Sequence, residues 1–211
     1  MNQFKIIFFL LLLLTILSCG NKKSNIKPDA VNNTVSVPET KTSLETQSES
    51  TSDHLEKAKK DGKTVFLVIT GTGATGIDKA INVAKEANTK IKESVVIQLN
   101  RDQAVNSSLV SKFGIAAVPL PFILVISPKG VPVAGAPSSQ VTSDQLIKSI
   151  PSSKQDEVFF ALSEKTPVFV VVSKKGYSDK AGTIAKCETA RSKITTKPTI
   201  VEIDFDDNNE K

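Results

Sequence analysis

Three glycines between residues 71 and 76 form a motif whose spacing could serve ligand chemistry. Gly71, Gly73 and Gly76 make the pattern G-x-G-x-x-G, after a β-branched and aromatic run at 64–69 and before a segment of helical periodicity. In that context the backbone amides at a helix N-terminus can hold a pyrophosphate group. The motif therefore permits a dinucleotide site, with Asp102 as the acid that follows the next strand.

Other properties of the chain count against a dinucleotide site. Asp102 lies further along the chain than the usual distance of about 20 residues. The apolar segments downstream predict an antiparallel hairpin instead of a third parallel βα unit. A loop filled with small residues is the simpler interpretation, and the exposed amides of Thr72 and Ala74 leave an anion or small-ligand site as a further alternative. We expect no bound cofactor.

The N-terminal residues have the pattern of a secretory signal. Lys5 precedes an apolar run from Ile6 to Leu17, which is too short to span a bilayer comfortably, because spanning needs about 20 residues. The segment Ile16-Leu17-Ser18-Cys19 resembles a bacterial lipobox, although Leu17 is bulkier than the residue usual there. The resemblance implies that residues 1–18 are a lipoprotein signal peptide and that acyl chains such as palmitate on Cys19 anchor the chain in the cell envelope. A plain cleaved signal and an uncleaved membrane anchor are the alternatives.

Residues 19–52 have the composition of a flexible tether. They are mainly Lys, Asn, Ser, Thr, Glu and Pro, with no aromatic residue. Such a segment buries too little apolar surface to offset the entropy of ordering it. We therefore expect a stalk that holds a folded part off the membrane.

Charge and rare residues exclude several classes of function. The formal net charge is +5, but lysines and acids are interspersed and the chain has one Tyr and no Trp, whereas a nucleic-acid surface would cluster basic and aromatic residues. The single histidine, His54, is interpreted as a surface residue near a helix start. No cluster of His, Cys and acidic residues predicts a metal site.

Apolar periodicity in residues 53–151 predicts an α/β domain. The order is α-β-α-β-α-β-β-α, with strands at 64–69, 95–99, 122–126 and 131–134. Amphipathic helices lie between them, and Ser127-Pro128-Lys129-Gly130 predicts the turn of an antiparallel hairpin. The expected fold is therefore a three-layer arrangement around a mixed parallel and antiparallel sheet.

This order, and several short segments, resemble the thioredoxin family. The stretch Lys112–Pro119 is similar to the approach to that family's cis-proline, and Phe122–Gly130 is similar to its central hairpin. Counting forward from Gly114 places the cis-proline at Pro119, whereas counting back from the hairpin places it at Pro121. We favour Pro121, because the strand must begin directly after it; two trans prolines in an ordinary loop are the alternative.

The chain departs from the family at the residues that carry its chemistry. Thioredoxins have a Cys-x-x-Cys pair where the first strand meets the long helix, and the resemblance places Ala74 and Ile77 at those two positions. Neither side chain can form a thiolate, so the resemblance implies that disulfide exchange of the family's kind is lost.

A partial second copy follows Pro151. The strand at 65–68 matches 168–171 at an offset of 103 residues, and 97–100 matches 201–204 at 104. Residues 156–211 are therefore expected to form the opening β-α-β of a second thioredoxin-like unit, with strands at 167–173 and 199–205. Such a half-unit packs on the first domain, pairs between molecules or belongs to a longer protein; packing and truncation are favoured.

The second copy also lacks the cysteine pair. Tyr177 and Lys180 stand at the two matching positions. With Cys19 assigned to a lipid, Cys187 has no internal disulfide partner. It shares a helix face with Ile184, which favours a buried, inert thiol over a reactive one.

The expected function is therefore binding without catalysis. We expect a lipid-anchored module of the cell envelope that holds a protein or peptide partner and no nucleic acid. The candidate contact residues lie in the glycine turn and the proline loop, and they are Gly71, Thr72, Gly73, Ala74, Pro119 and Pro121. The alternative is an oxidoreductase, which would depend on a nucleotide at the glycine turn or on the thiol of Cys187.

Overall fold

The computed structural model describes residues 50–210. The predicted signal peptide, Cys19 and most of the predicted tether lie outside the described residues. The helices in the described part are α1 (Thr51–Lys60), α2 (Ile77–Lys90), α3 (Ser107–Phe113), α4 (Ser143–Lys148), α5 (Ser153–Ser163) and α6 (Lys180–Ser192). The strands are β1 (Thr64–Thr70), β2 (Ser94–Asn100), β3 (Phe122–Ile126), β4 (Pro132–Pro137), β5 (Val168–Ser173) and β6 (Thr199–Asp204). Between residues 50 and 210, none of these helices combines the length and the apolar content needed to cross a membrane.

A four-stranded mixed sheet forms the centre of the first unit, residues 50–151. Its strand order is β2-β1-β3-β4. β1 runs parallel to β2 and antiparallel to β3, while β3 and β4 form the predicted hairpin. The predicted fold class, with a parallel beginning followed by an antiparallel hairpin, is confirmed.

The central strand β1 is buried on both faces. Val65, Leu67 and Ile69 pack in one apolar cluster with side chains from α1 and α3. Phe66 and Val68 pack in a second cluster with α2 and α4, where alanines line the inner face of α2. An apolar strand without alternation is the expected result when helices cover both faces of a sheet.

The start of α1 and the end of β4 differ from those predicted. α1 begins at Thr51, two residues before Asp53, because Ser50 and Asp53 form a reciprocal capping box at its N-terminus. The last three residues of the predicted tether therefore belong to this helix and its cap. β4 runs to Pro137 instead of ending at Ala134, since it pairs with β3 along its whole length.

The second unit, residues 152–210, has the same order of elements as the first half of the first unit. α5, β5, α6 and β6 follow in the order of α1, β1, α2 and β2, and β5 pairs with β6 in a separate, parallel, two-stranded sheet. α5 is not among the elements predicted from the sequence. This helix is capped by Ser152, so the predicted start of the unit at residue 156 falls inside it.

Candidate functional site

The glycine turn and the proline loop meet at one end of the first sheet. The turn, residues 71–76, connects β1 to α2, and the loop, residues 115–121, leads into β3. The Leu120–Pro121 peptide bond is cis, as favoured from the position of the strand. Within this loop, Pro121 is buried and Pro119 is exposed. The structure therefore brings the six predicted contact residues to a common region.

Gly71 is the point of closest approach between the turn and the loop. A Cβ atom built at this position would lie 2.9 Å from Leu120 Cδ1 and 2.9 Å from Asp102 Oδ2. Both distances are shorter than real side chains tolerate, so a larger residue would displace one neighbour or both. Gly73 instead has φ of 78° and no atom within 4 Å of a Cβ built there, so its requirement for glycine is conformational.

The carboxylate of Asp102 occupies the glycine turn. The backbone N–H of Thr72 donates a hydrogen bond to Asp102 Oδ2. Hydrogen bonds from the Thr72 backbone and side chain lower the pKa of Asp102 below its ordinary value of 3.8. The chain thus supplies its own anion to this amide, which leaves less of the turn for a phosphate group. Asp102 here takes the place that an anionic ligand would occupy at this amide.

Arg101 fastens the proline loop to the end of β2. Its Nη1 donates to the backbone carbonyl of Val118 at 2.7 Å and to that of Ile115 at 3.4 Å. Sequence patterns did not predict a role for this residue. An arginine directly after a strand and next to Asp102 was the available signal, but the contacts span 14 and 17 residues and do not follow from local pattern.

The loop carries peptide groups without partners. Neither the N–H nor the C=O of Leu120 has a hydrogen-bond partner among residues 50–210. The neighbouring Ala74 and Ile77 are half-buried, and neither offers a nucleophile. The site can therefore present backbone donors and acceptors beside a small apolar surface, but no thiol.

Cys187 does not belong to this region. It lies on α6 in the second unit, and the prediction that it is buried is wrong, because it is only partly covered. α6 contains no fully buried residue, since it packs on a sheet of two strands that is too narrow to enclose it. Within residues 50–210, no group of His, Cys, Asp and Glu is placed to hold a metal ion.

No protein-family model matches the chain, and a comparison with curated proteins found no match. Solved structures do match. Thioredoxin O2 from Arabidopsis thaliana, in its oxidized state, is 16% identical with a TM-score of 0.37, and the match covers 51% of this chain and 85% of that one. Thioredoxin-2, described as a component of malaria parasite protein secretion machinery, is 18% identical with a TM-score of 0.33, over 41% of this chain and 79% of that one.

A structure of the first two thioredoxin domains of Naumovozyma dairenensis Eps1p is 9% identical with a TM-score of 0.34, over 66% of each chain. At these identities and TM-scores, no activity, substrate or partner follows from the matches. The sheet order, the antiparallel hairpin and the cis-proline loop of the chain itself give it a thioredoxin-like mixed α/β fold.

Proposed function

We propose that this chain is a membrane-anchored, non-catalytic thioredoxin-like lipoprotein that binds an extended protein or peptide segment at its cis-proline loop. The observation that carries the proposal is the unpaired Leu120 peptide group beside a turn that has no thiol. Exposed backbone donors and acceptors next to apolar surface suit the docking of a strand-like segment, because main-chain hydrogen bonds then supply affinity.

The oxidoreductase alternative has less support. A nucleotide at the glycine turn would compete with Asp102 for the amide of Thr72. A thiol mechanism would depend on Cys187, which is the free cysteine of the described residues and lies in the other unit. The alternative predicts saturable binding of NAD, NADP or FAD, or thiol turnover that is lost in Cys187→Ala.

A peptide library tests the binding function. The full-length chain in lipid nanodiscs is screened against random octapeptides, and bound peptides are compared on the variants Gly71→Ala and Ala185→Ser. Gly71→Ala is expected to weaken binding, because the added methyl group displaces Leu120 and Asp102. Ala185→Ser is the control, since it adds one heavy atom at an exposed position of α6, outside the glycine turn and the proline loop.

Two outcomes contradict this function. One is the absence of any selected peptide, and the other is a set of peptides whose affinity is unchanged in Gly71→Ala.

The lipid anchor is tested separately. Cells grown with an alkyne analogue of palmitate should label the native chain, and Cys19→Ser should abolish the label and release the protein from membranes. An unlabelled native chain with an unmodified N-terminus would show that the lipobox interpretation is wrong.

A further inference from the structure

Strand β5 has an open edge. The N–H of Thr199 donates to the carbonyl of Pro167 at 2.8 Å, and the N–H of Phe205 donates to that of Ser173 at 2.7 Å. These contacts show that, between residues 167 and 173, the odd-numbered residues form their main-chain hydrogen bonds with β6. In a parallel pair the alternate residues point their peptide groups the other way. The peptide groups of Val168, Val170 and Val172 therefore face an edge that no strand among residues 50–210 occupies.

The corresponding strand of the first unit, β1, indicates what kind of strand this edge can bind. At the offset of 103, the three open-edge valines correspond to Val65, Leu67 and Ile69 of β1. In the first unit those residues pair antiparallel with β3, and the pairs are Val65↔Ile126, Leu67↔Leu124 and Ile69↔Phe122. In the second unit, β5 likewise directs the peptide groups of the three corresponding valines away from its parallel partner. Residues 50–210 contain no strand equivalent to β3 beside it.

The side chains on this edge are apolar and exposed. Val170 is 45% exposed and Val172 is 57% exposed, whereas the corresponding Leu67 and Ile69 are fully buried. Phe205 and Tyr177 extend the patch and line an open cavity of about 430 Å³ with Val172. Exposed apolar strands with free edges are the usual sites of strand addition.

Charge distinguishes between the possible occupants. Lys165 lies before β5, and Lys174 and Lys175 follow it, while residues 168–173 carry no charge. Lys174 has Asp206 at 4.0 Å, but Lys165 and Lys175 have no ion-pair partner within the described part of the chain. Two copies that paired through β5 about Val170 would place Lys165 of one copy opposite Lys175 of the other, twice. Like charges in that position destabilise a strand pair.

We propose that the open edge of β5 binds an antiparallel strand of a partner protein that is apolar at its centre and acidic at both ends. The apolar residues of that strand would continue the face of Val170 and Val172, and its main chain would bond to the free peptide groups. Its carboxylates would meet the lysines at the two ends of β5. This surface lies on the second unit and is distinct from the cis-proline loop.

The test uses a labelled peptide with the sequence of β3, residues 122–126, flanked by two aspartates on each side. Its binding to the full-length chain in nanodiscs is measured by fluorescence anisotropy, with empty nanodiscs as the blank. The expected result is saturable binding that is at least about tenfold weaker when lysines replace the aspartates. The double variant Lys165→Glu/Lys175→Glu should reverse that preference.

Variants of the chain test the location. Val172→Asp should abolish binding, because it places a charge on the apolar face of the edge. Val105→Asp is the matched control, since Val105 is 71% exposed in the first unit. Gly71→Ala should leave this binding unchanged, which separates the proposal from the function assigned to the cis-proline loop.

Three results would overturn the proposal. These are equal affinity for the two peptides, binding that persists in Val172→Asp, and a concentration-dependent dimer in sedimentation that Val172→Asp dissociates. The last result would assign the edge to a second copy of the chain.

Discussion

Arg101 and Asp102 are adjacent residues that fix two different loops to the end of β2. Asp102 accepts a hydrogen bond from the amide of Thr72 in the glycine turn, and Arg101 donates to the carbonyl of Val118 in the proline loop. Their own side chains come only within 3.9 Å of each other. The pair therefore acts mainly as two separate backbone contacts that bring the turn and the loop together.

The contact between Asp102 and Thr72 should depend on pH. Because hydrogen bonding to Thr72 lowers the pKa of Asp102, the contact is fully present above the ordinary aspartate value and is lost as the pH falls through the lowered pKa. In an NMR titration from pH 7 to pH 2, the Thr72 amide resonance should move in that acidic range. Asp102→Asn should remove this transition, and a Thr72 resonance that stays constant down to pH 2 would contradict the assignment.

The residues at the two positions where the resemblance to thioredoxins would place cysteines predict a lack of reductase activity. Ala74 and Ile77 cannot form the mixed disulfide that thiol exchange requires. The full-length chain should not accelerate insulin reduction by dithiothreitol at any pH, in a turbidity assay where an authentic thioredoxin serves as the positive control. Turnover that persists in Cys187→Ala would contradict the non-catalytic function.

α5 is the element that attaches the second unit to the first. The backbone N–H of Lys129, in the hairpin turn, donates to Asp156 Oδ2 at 3.1 Å, and Asp156 is 3% exposed. The ammonium groups of Lys59 and Lys129 lie 5.8 and 5.7 Å from the centre of the Phe160 ring. One face of this helix thus packs on the turn of the β3–β4 hairpin and on the end of α1.

Removal of the Asp156 carboxylate should weaken this attachment. Asp156→Ala leaves the Lys129 amide without its acceptor, and the expected loss in the free energy of unfolding is about 1–3 kcal/mol. Urea denaturation measures it. Glu157→Ala is the control, with an expected change below about 0.5 kcal/mol, because the contact of Glu157 with Lys154 is long, at 3.9 Å, and partly exposed. Equal stability of the two variants would show that the Asp156 contact contributes little.

At the scale of the whole molecule, residues 50–210 form a unit with a four-stranded sheet followed by a unit with a two-stranded sheet. The first sheet has four strands with helices on both faces, whereas the second has two strands. The buried apolar side chains of the second sheet are Val171 and Val201. A unit of this size buries too little apolar surface to be stable without neighbours.

The second unit should therefore not fold in isolation. Because α5 begins at Ser153, the fragment to test is 152–211, which keeps the whole helix. Far-ultraviolet circular dichroism should show little structure, with no cooperative thermal transition at micromolar concentration. A compact monomer in sedimentation that melts cooperatively would contradict the half-unit interpretation.

Local patterns predicted the order of elements but not the contacts between them. The apolar run of β1, the hairpin turn and the 103-residue repeat can be read from spacing alone. Pro121 was favoured because β3 must start after it. α5 was missed because its apolar residues, 158–162, are consecutive and show no amphipathic period. The exposure of Cys187 and the contacts of Arg101 depend on residues distant in the chain, which a single sequence does not reveal.

β1 and β5 hold the same place in the order of elements of the two units, and among residues 50–210 only β1 has a second strand on the edge opposite its parallel partner. In deuterated water, the amide hydrogens of Val65, Leu67 and Ile69 are held by β3 and should exchange slowly, through large opening events. Those of Val168, Val170 and Val172 have no such partner strand among residues 50–210 and should exchange within the dead time of the measurement. The ratio of the two sets of rates measures, inside a single sample, the protection that one antiparallel neighbour confers on a strand.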